Sequence, residues 1–248
     1  MIKFFRKIRQ NLLMENKTGM YLKYAIGEIV LVVIGILIAL QINTWNESRK
    51  NRVYELTMLK DVKDALEADS AKLMDRVPYL EGVMASIHEI AVMKNDPSLS
   101  TDSLELHLQE LLNYGTFIAF NKSPFKALES GGLDRVSNAE IRKNISTLYG
   151  FTLANAEIWI NEVLRHELLK KTDMFSEMFG LKVTPAKDNS IETKLILKNP
   201  SIIYDNPEFD RLLFKSSWPL PLTIKYLNTL NEQMILLIDQ IDQELKKG

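Results

Sequence analysis

The 248-residue chain contains no cysteine. That excludes disulfide staples, thiolate nucleophiles and every metal site built on cysteine ligands. An oxidising compartment stays open, provided that the core holds without cross-links. Histidine is nearly absent, with His88, His107 and His166 the three in the sequence. His166-Glu167 opens like a zinc-protease helix, but the residue four after His166 is Lys170, so the second ligand is missing. Glu129-Ser130-Gly131-Gly132 offers the serine of a nucleophile turn without the glycine two residues earlier, where Leu128 stands. No phosphate-binding loop and no dinucleotide fingerprint occurs. No catalytic, cofactor-binding or metal-binding constellation is visible, and the expectation is a protein that is not an enzyme and needs no cofactor. Positive charge is also scarce where a nucleic acid would need it. The chain after the apolar run described next carries 25 basic against 30 acidic residues, so no nucleic-acid partner is expected.

What the chain does have is one long apolar run, Ala25 to Ile42, with Glu28 as its single charge. At about 1.5 Å rise per residue, a helix over this run and its flanks spans roughly the 30 Å of a bilayer's hydrocarbon core. Tyr24 and Trp45 stand at its two ends, where amphipathic rings favour the headgroup boundary. A buried core helix is the bland alternative, disfavoured by length. A cleaved signal peptide is disfavoured because the run exceeds the usual apolar region of about 7 to 15 residues and no small-x-small site follows. The division expected is a basic head over 1–23, a transmembrane helix over 24–45 acting as an uncleaved signal anchor, and a helical domain over 46–248.

The head holds Lys3, Arg6, Lys7, Arg9, Lys17 and Lys23 against Glu15, a net of +5. The segment after the anchor, 43–61, holds Arg49, Lys50, Arg52 and Lys60. Because Lys and Arg are retained on the cytoplasmic side, this bias predicts a cytoplasmic N-terminus and, in a two-membrane bacterium, a periplasmic domain anchored in the inner membrane. Phe5, Ile8 and Leu12 recur at helical spacing in the head, with Lys3, Arg6, Lys7 and Arg9 at other positions. Such a segment can lie along anionic lipid, or it can be a solvated leader that sets topology alone.

Within the anchor, Glu28 is an ionisable group in apolar surroundings. Such residues face a partner helix, a water cavity or a proton path, or reach back to the headgroups when, as here, they lie near the cytoplasmic end. Gly27, Leu31, Gly35 and Ala39 recur every four residues, and Gly35-x-x-x-Ala39 is a small-x-x-x-small pattern through which spanning helices approach closely. Beyond the bilayer, the partners expected are another membrane protein or a second copy.

The remainder reads as mainly all-α, a helical bundle. Tyr54, Met58, Val62, Leu66 and Leu73 trace a helix over 46–94 that Pro78 should kink or divide. A second helix should start near Ser100 to Asp102 and run through Leu104, Leu108, Leu111 and Leu112, followed by a loop over 115–122. Ser123-Pro124 predicts a capped start for a short helix ended by Gly131-Gly132, and Ser137-x-x-Glu140 predicts a capping box. Ile141 to about Phe179 traces a long helix, with a bend expected at Gly150. Residues 182–200 are the least helical, with a loop over 185–190 and an extended piece over 193–198. Asn206-Pro207 opens a short helix through Phe214, and Pro219 and Pro221 open a last one with Leu227, Leu230, Met234, Leu237, Ile241 and Leu245 on one face.

The opening Met1-Ile-Lys-Phe-Phe-Arg-Lys-Ile-Arg-Gln-Asn-Leu-Leu13, Glu15-Asn-Lys-Thr-Gly19 and Lys23 to Glu47 resemble a family of uncharacterised single-span membrane proteins of Bacteroidota. A fainter likeness covers Phe125 to Asn138 and Glu140 to Tyr149. The resemblance implies a membrane anchor and no activity, and it carries over no site residues. Two functions are left in play. One is a structural or interaction subunit of a membrane assembly. The other is a ligand- or partner-sensing helical module, against which stands a cytoplasmic part of only about 23 residues.

Overall fold

The computed structural model describes residues 18–96, 101–115, 117–186, 188 and 190–247. The chain divides into two units, 1–55 and 56–248. Helix α1 (Thr18–Asn95) supplies the helix of the first and the opening helix of the second.

Among the described residues of the first unit, the apolar side chains of α1 are not packed into a core. Ile26, Ile29, Leu31, Ile34, Leu37, Leu40 and Ile42 are all exposed, and the most apolar window of the helix has a mean hydropathy of 2.6 with none of it buried. A helix exposed and apolar on every side is long and apolar enough to cross a bilayer and is compatible with a membrane anchor.

The second unit is built on helices whose apolar residues fall on one stripe. Leu59, Val62, Leu66, Leu73, Val77, Leu80, Val83, Ile87 and Ile90 of α1 are buried at steps of three, four or seven residues, which keep to one face. Pro78 lies inside α1 and does not end it, so of the kink or division expected from sequence the division does not occur. Its ring points to solvent, where water can satisfy the carbonyl it leaves unbonded, while its neighbours Val77 and Leu80 stay in the core. Helix α2 (Thr101–Asn113) packs through Leu104, Leu108 and Leu111.

Helix α3 (Ser123–Gly132) starts at Ser123, but the residue before it is Lys122 and no side chain caps it. Asn121 Oδ1 instead accepts from the Ser123 amide at 3.1 Å. Gly132 ends α3 with φ at 104°, a conformation that suits glycine, and an added Cβ would sit 2.8 Å from Asp134 Oδ1. The predicted capping box is displaced by one residue. Asn138, not Ser137, caps α4 (Ala139–Thr147) by accepting from the amides of Glu140 and Ile141.

From α4 the backbone stays helical to Met178 through a π segment (Leu148–Thr152), α5 (Leu153–Ile158), a second π segment (Trp159–Leu164) and α6 (Arg165–Met178). The buried residues explain the wider turns. Ile141, Ile145, Tyr149 and Leu153, then Ala156, Ile160, Leu164 and Leu168, recur every four residues, a spacing that drifts by about 40° per step on a regular α-helix. Wider turns hold the stripe on one face. Gly150 lies inside the first π segment.

A hairpin follows, β1 (Gly180–Pro185) and β2 (Ile191–Ile196), antiparallel with Leu181 opposite Leu195 and Val183 opposite Thr193. β1 was not anticipated from the sequence, and the extended piece expected over 193–198 lies two residues earlier. Asn206 caps α7 (Pro207–Ser217) through the amides of Glu208 and Phe209. Helix α8 (Pro219–Leu245) buries Leu227, Leu230, Met234, Leu237 and Ile241 as its stripe requires.

Lys63–Asp242 (2.6 Å) and Ser70–Asn231 (2.6 Å) set α1 and α8 antiparallel. Asn144–Gln240 (2.8 Å) and Trp159–Thr223 (3.3 Å) do the same for the long helix against α8, so these three helices form the bundle of the second unit.

Candidate functional site

The residues singled out in the anchor are placed along the exposed part of α1. Apart from their own helix backbone, Gly27 and Gly35 have no atom within 4 Å of where a Cβ would be, and Leu31 and Ala39 beside them are exposed. Glu28 is half-buried, and Tyr24 and Trp45 are exposed. The basic head residues Lys3, Arg6, Lys7 and Arg9 lie outside the described residues.

Among the described residues a dense polar constellation lies elsewhere, in the second unit, around the irregular stretches 114–115 and 117–122. Tyr114 and Ile118 are buried, and where such a stretch lacks a ladder of its own its backbone groups must be bonded by side chains or water; five helical residues contribute. Arg76 donates to the Gly115 carbonyl. Asn161 accepts from the Ile118 amide (3.1 Å) and donates to its carbonyl (2.7 Å), standing in for a neighbouring strand. Glu157 accepts from the Phe120 amide (3.0 Å) and from Lys122 Nζ (2.5 Å). Asp69, wholly buried, accepts from the Asn121 amide (2.8 Å) and from Lys72 Nζ (2.7 Å).

Lys171 closes the near end. Its side chain is 1% exposed and its ammonium donates to the carbonyls of Leu111 (2.5 Å), Leu112 (3.3 Å) and Tyr114 (2.9 Å), with the Tyr114 ring face 4.0 Å away. The carbonyls are the unpaired ends of α2, so the ammonium neutralises the negative pole of that helix. Burial pushes the Lys171 ammonium down to about 7, while the three acceptors and the ring favour its charged form. Tyr114 is fixed in turn by its hydroxyl, which donates to the Ser216 carbonyl at 2.8 Å. Burial raises its phenol above the ordinary range.

Beside the strapped segment a crevice of about 360 Å³ is lined by Asp69, Lys72, Arg76, Phe117, Ile118 and Phe120. Behind it Tyr149 stacks on Phe125, ring centroids 5.0 Å apart. Among the described residues the buried Tyr149 hydroxyl has no hydrogen-bond partner, and burial and the Asp69 charge both raise its phenol. The two histidine and serine near misses play no part in this arrangement. Glu167, next to His166, is held low by its hydrogen bonds to Lys170 and Lys215. Among the described residues no group of three or more histidine or acidic side chains is placed to hold a metal ion.

Residues 28–152 match the model of a family of unknown function, DUF6090. The chain belongs to that family. The DUF6090 match takes in most of the anchor, α2, the strapped segment, α3, α4 and the first π segment, and it ends at Thr152. Asp69, Arg76, Asn121 and Tyr149 fall inside it, whereas Glu157, Asn161 and Lys171 lie beyond it. No curated protein and no solved structure matches the chain.

The loop over 115–122 was legible in the sequence, but the side chains that strap it were not, although two signals for them were present. Asp69 occupies a core position between Leu66 and Leu73, and Lys171 occupies one between Leu168 and Phe175. A charge on an apolar stripe marks a buried polar network.

Proposed function

We propose that this DUF6090 protein is a structural or interaction subunit of a bacterial inner-membrane assembly, anchored by the helix over 24–45. In this reading the N-terminus is cytoplasmic and the domain is periplasmic, in keeping with the excess of bases in the head and with the two-membrane cell implied by the resemblance to Bacteroidota proteins. The observation that carries it is the anchor itself. Its apolar side chains are exposed all round, and the Cβ positions of Gly27 and Gly35 open on empty space. A second spanning helix could therefore approach the Gly27, Leu31, Gly35 and Ala39 stripe, whether from another membrane protein or from a second copy, with Glu28 at its cytoplasmic end.

The test is gentle detergent extraction followed by native mass determination of wild type and Glu28→Gln. A defined complex that Glu28→Gln weakens is the expected result, and a lone monomer for wild type would sink the reading. A ligand-sensing role is the second reading, favoured by the crevice beside Asp69 and the unpartnered Tyr149 hydroxyl.

A further inference from the structure

The hairpin presents an incomplete sheet. On β2, the Leu195 amide donates to Gln109 Oε1 (2.7 Å) and the Thr193 carbonyl accepts from Gln109 Nε2 (3.1 Å), so the side-chain amide of one α2 residue occupies the place of a third strand's peptide group. Glu105 takes the Leu197 amide next along the same edge, at 3.4 Å. Over 193–197 that edge is occupied by α2.

These bonds also fix which way β1 faces. Residues 193 and 195 point their backbone groups away from β1, and in an antiparallel ladder the residues directly opposite, Val183 and Leu181, must point theirs away from β2. Among the described residues nothing bonds those outward amides and carbonyls. Edge strands left open in this way are templates for another strand.

The two faces of the hairpin say what kind of strand fits. One face carries Leu181, Val183, Pro185, Ile191 and Leu195. Leu195 packs inward at 6% exposure, while Val183 and Ile191 stand out at 63% and 71%. The other face sets Lys182 directly opposite Lys194, with the Lys198 side chain near Gly180 and with Glu192, 3.9 Å from Lys194, as the acid among them. Like charges facing each other across a ladder repel.

We infer that the outer edge of β1 is a docking site for an extended segment of a partner protein in which acidic residues alternate with apolar ones. The partner's acids lie beside Lys182 and Lys194, its apolar residues extend the Val183 and Ile191 face, and its backbone bonds Leu181, Val183 and the Pro185 carbonyl. A second copy of this chain is a poor occupant, because pairing β1 with β1 gathers four lysines on one face. The inference names a partner-binding site within the interaction-subunit reading and rests on that reading.

The test uses the full chain in detergent micelles and a fluorescent, end-capped peptide, Glu-Val-Glu-Val-Glu-Val-Glu. Saturable binding below about 1 mM is expected, at least tenfold tighter than for the same peptide with lysine in place of glutamate. Val183→Pro removes one outward amide and no β1–β2 bond, so the hairpin should persist by circular dichroism while binding falls at least tenfold. The double variant Lys182→Glu, Lys194→Glu should reverse the preference toward the lysine peptide. Absence of saturable binding, equal binding of both peptides, or indifference to Val183→Pro overturns the inference. So does rapid oxidative dimerisation of Val183→Cys in membranes, which would assign the edge to a second copy. Failure here leaves a detergent-stable complex through the anchor intact, and loss of that complex leaves peptide binding to be observed, so the two readings fail separately.

Discussion

Lys171 and Gly132 show what single residues contribute. The Lys171 ammonium bonds three carbonyls and is held at about 7 by burial. Below about 7 both folded and unfolded chains carry its proton and the full cost of the buried charge is felt. Between about 7 and the ordinary 10.5 the unfolded chain holds a proton that the folded chain releases, so this site makes stability rise with pH. Urea unfolding of the full chain in micelles at pH 6, 7.5 and 9 should show that slope in wild type and not in Lys171→Met. At pH 7.5 the variant should be less stable by about 2 kcal/mol, because three carbonyls are left without a donor. A slope unchanged by the substitution would assign the proton uptake to another group. Gly132→Ala forces a left-handed φ on an alanine and a 2.8 Å contact with Asp134, and should cost about 1 to 3 kcal/mol in the same assay. Such positions were partly legible. The Gly131-Gly132 stop was readable because a helix end in that conformation selects glycine, and the Asn206-Pro207 start because the side-chain cap is local. The Asn138 cap was misread by one residue, since Ser137 and Asn138 are both competent caps and tertiary packing decides between them.

At the scale of elements, the strap over 114–122 is held by helices distant in sequence and is therefore the least legible part of the fold. Asn161→Ala removes both bonds to Ile118 and should cost about 1 to 3 kcal/mol. Amide hydrogen exchange should rise along 117–121 while α8 stays protected. Uniform loss of protection across the bundle would show instead that the strap is a cooperative part of the core. The stripes of α1 and α8 could be read directly, because three- and four-residue apolar spacing has one helical solution. Whether Pro78 divides α1 could not be read, because its place on the outer face, which makes the lost bond tolerable, depends on which side of α1 is buried. The π turns were encoded in an apolar period of four that reads at first as ordinary helix. β1 was missed because its alternation, Leu181-Lys182-Val183-Thr184, covers only four residues between Gly180 and Pro185, too short for a lone segment to reveal.

At the scale of the whole molecule, one DUF6090 chain joins an apolar helix that is exposed among the described residues to a bundle with a buried apolar core, a division legible in the hydropathy of the sequence. The central claim is that the helix over 24–45 lies in lipid. Because the chain has no native cysteine, a single introduced thiol reports its own surroundings. We would label Ile34→Cys, with Lys194→Cys as the exposed reference, using a membrane-impermeant maleimide on intact membranes and again after denaturation in detergent. The account predicts that Cys at position 34 stays unlabelled until the bilayer is dissolved, whereas Cys at position 194 reacts once its side of the membrane is open to reagent. Prompt labelling at position 34 in intact membranes would contradict it.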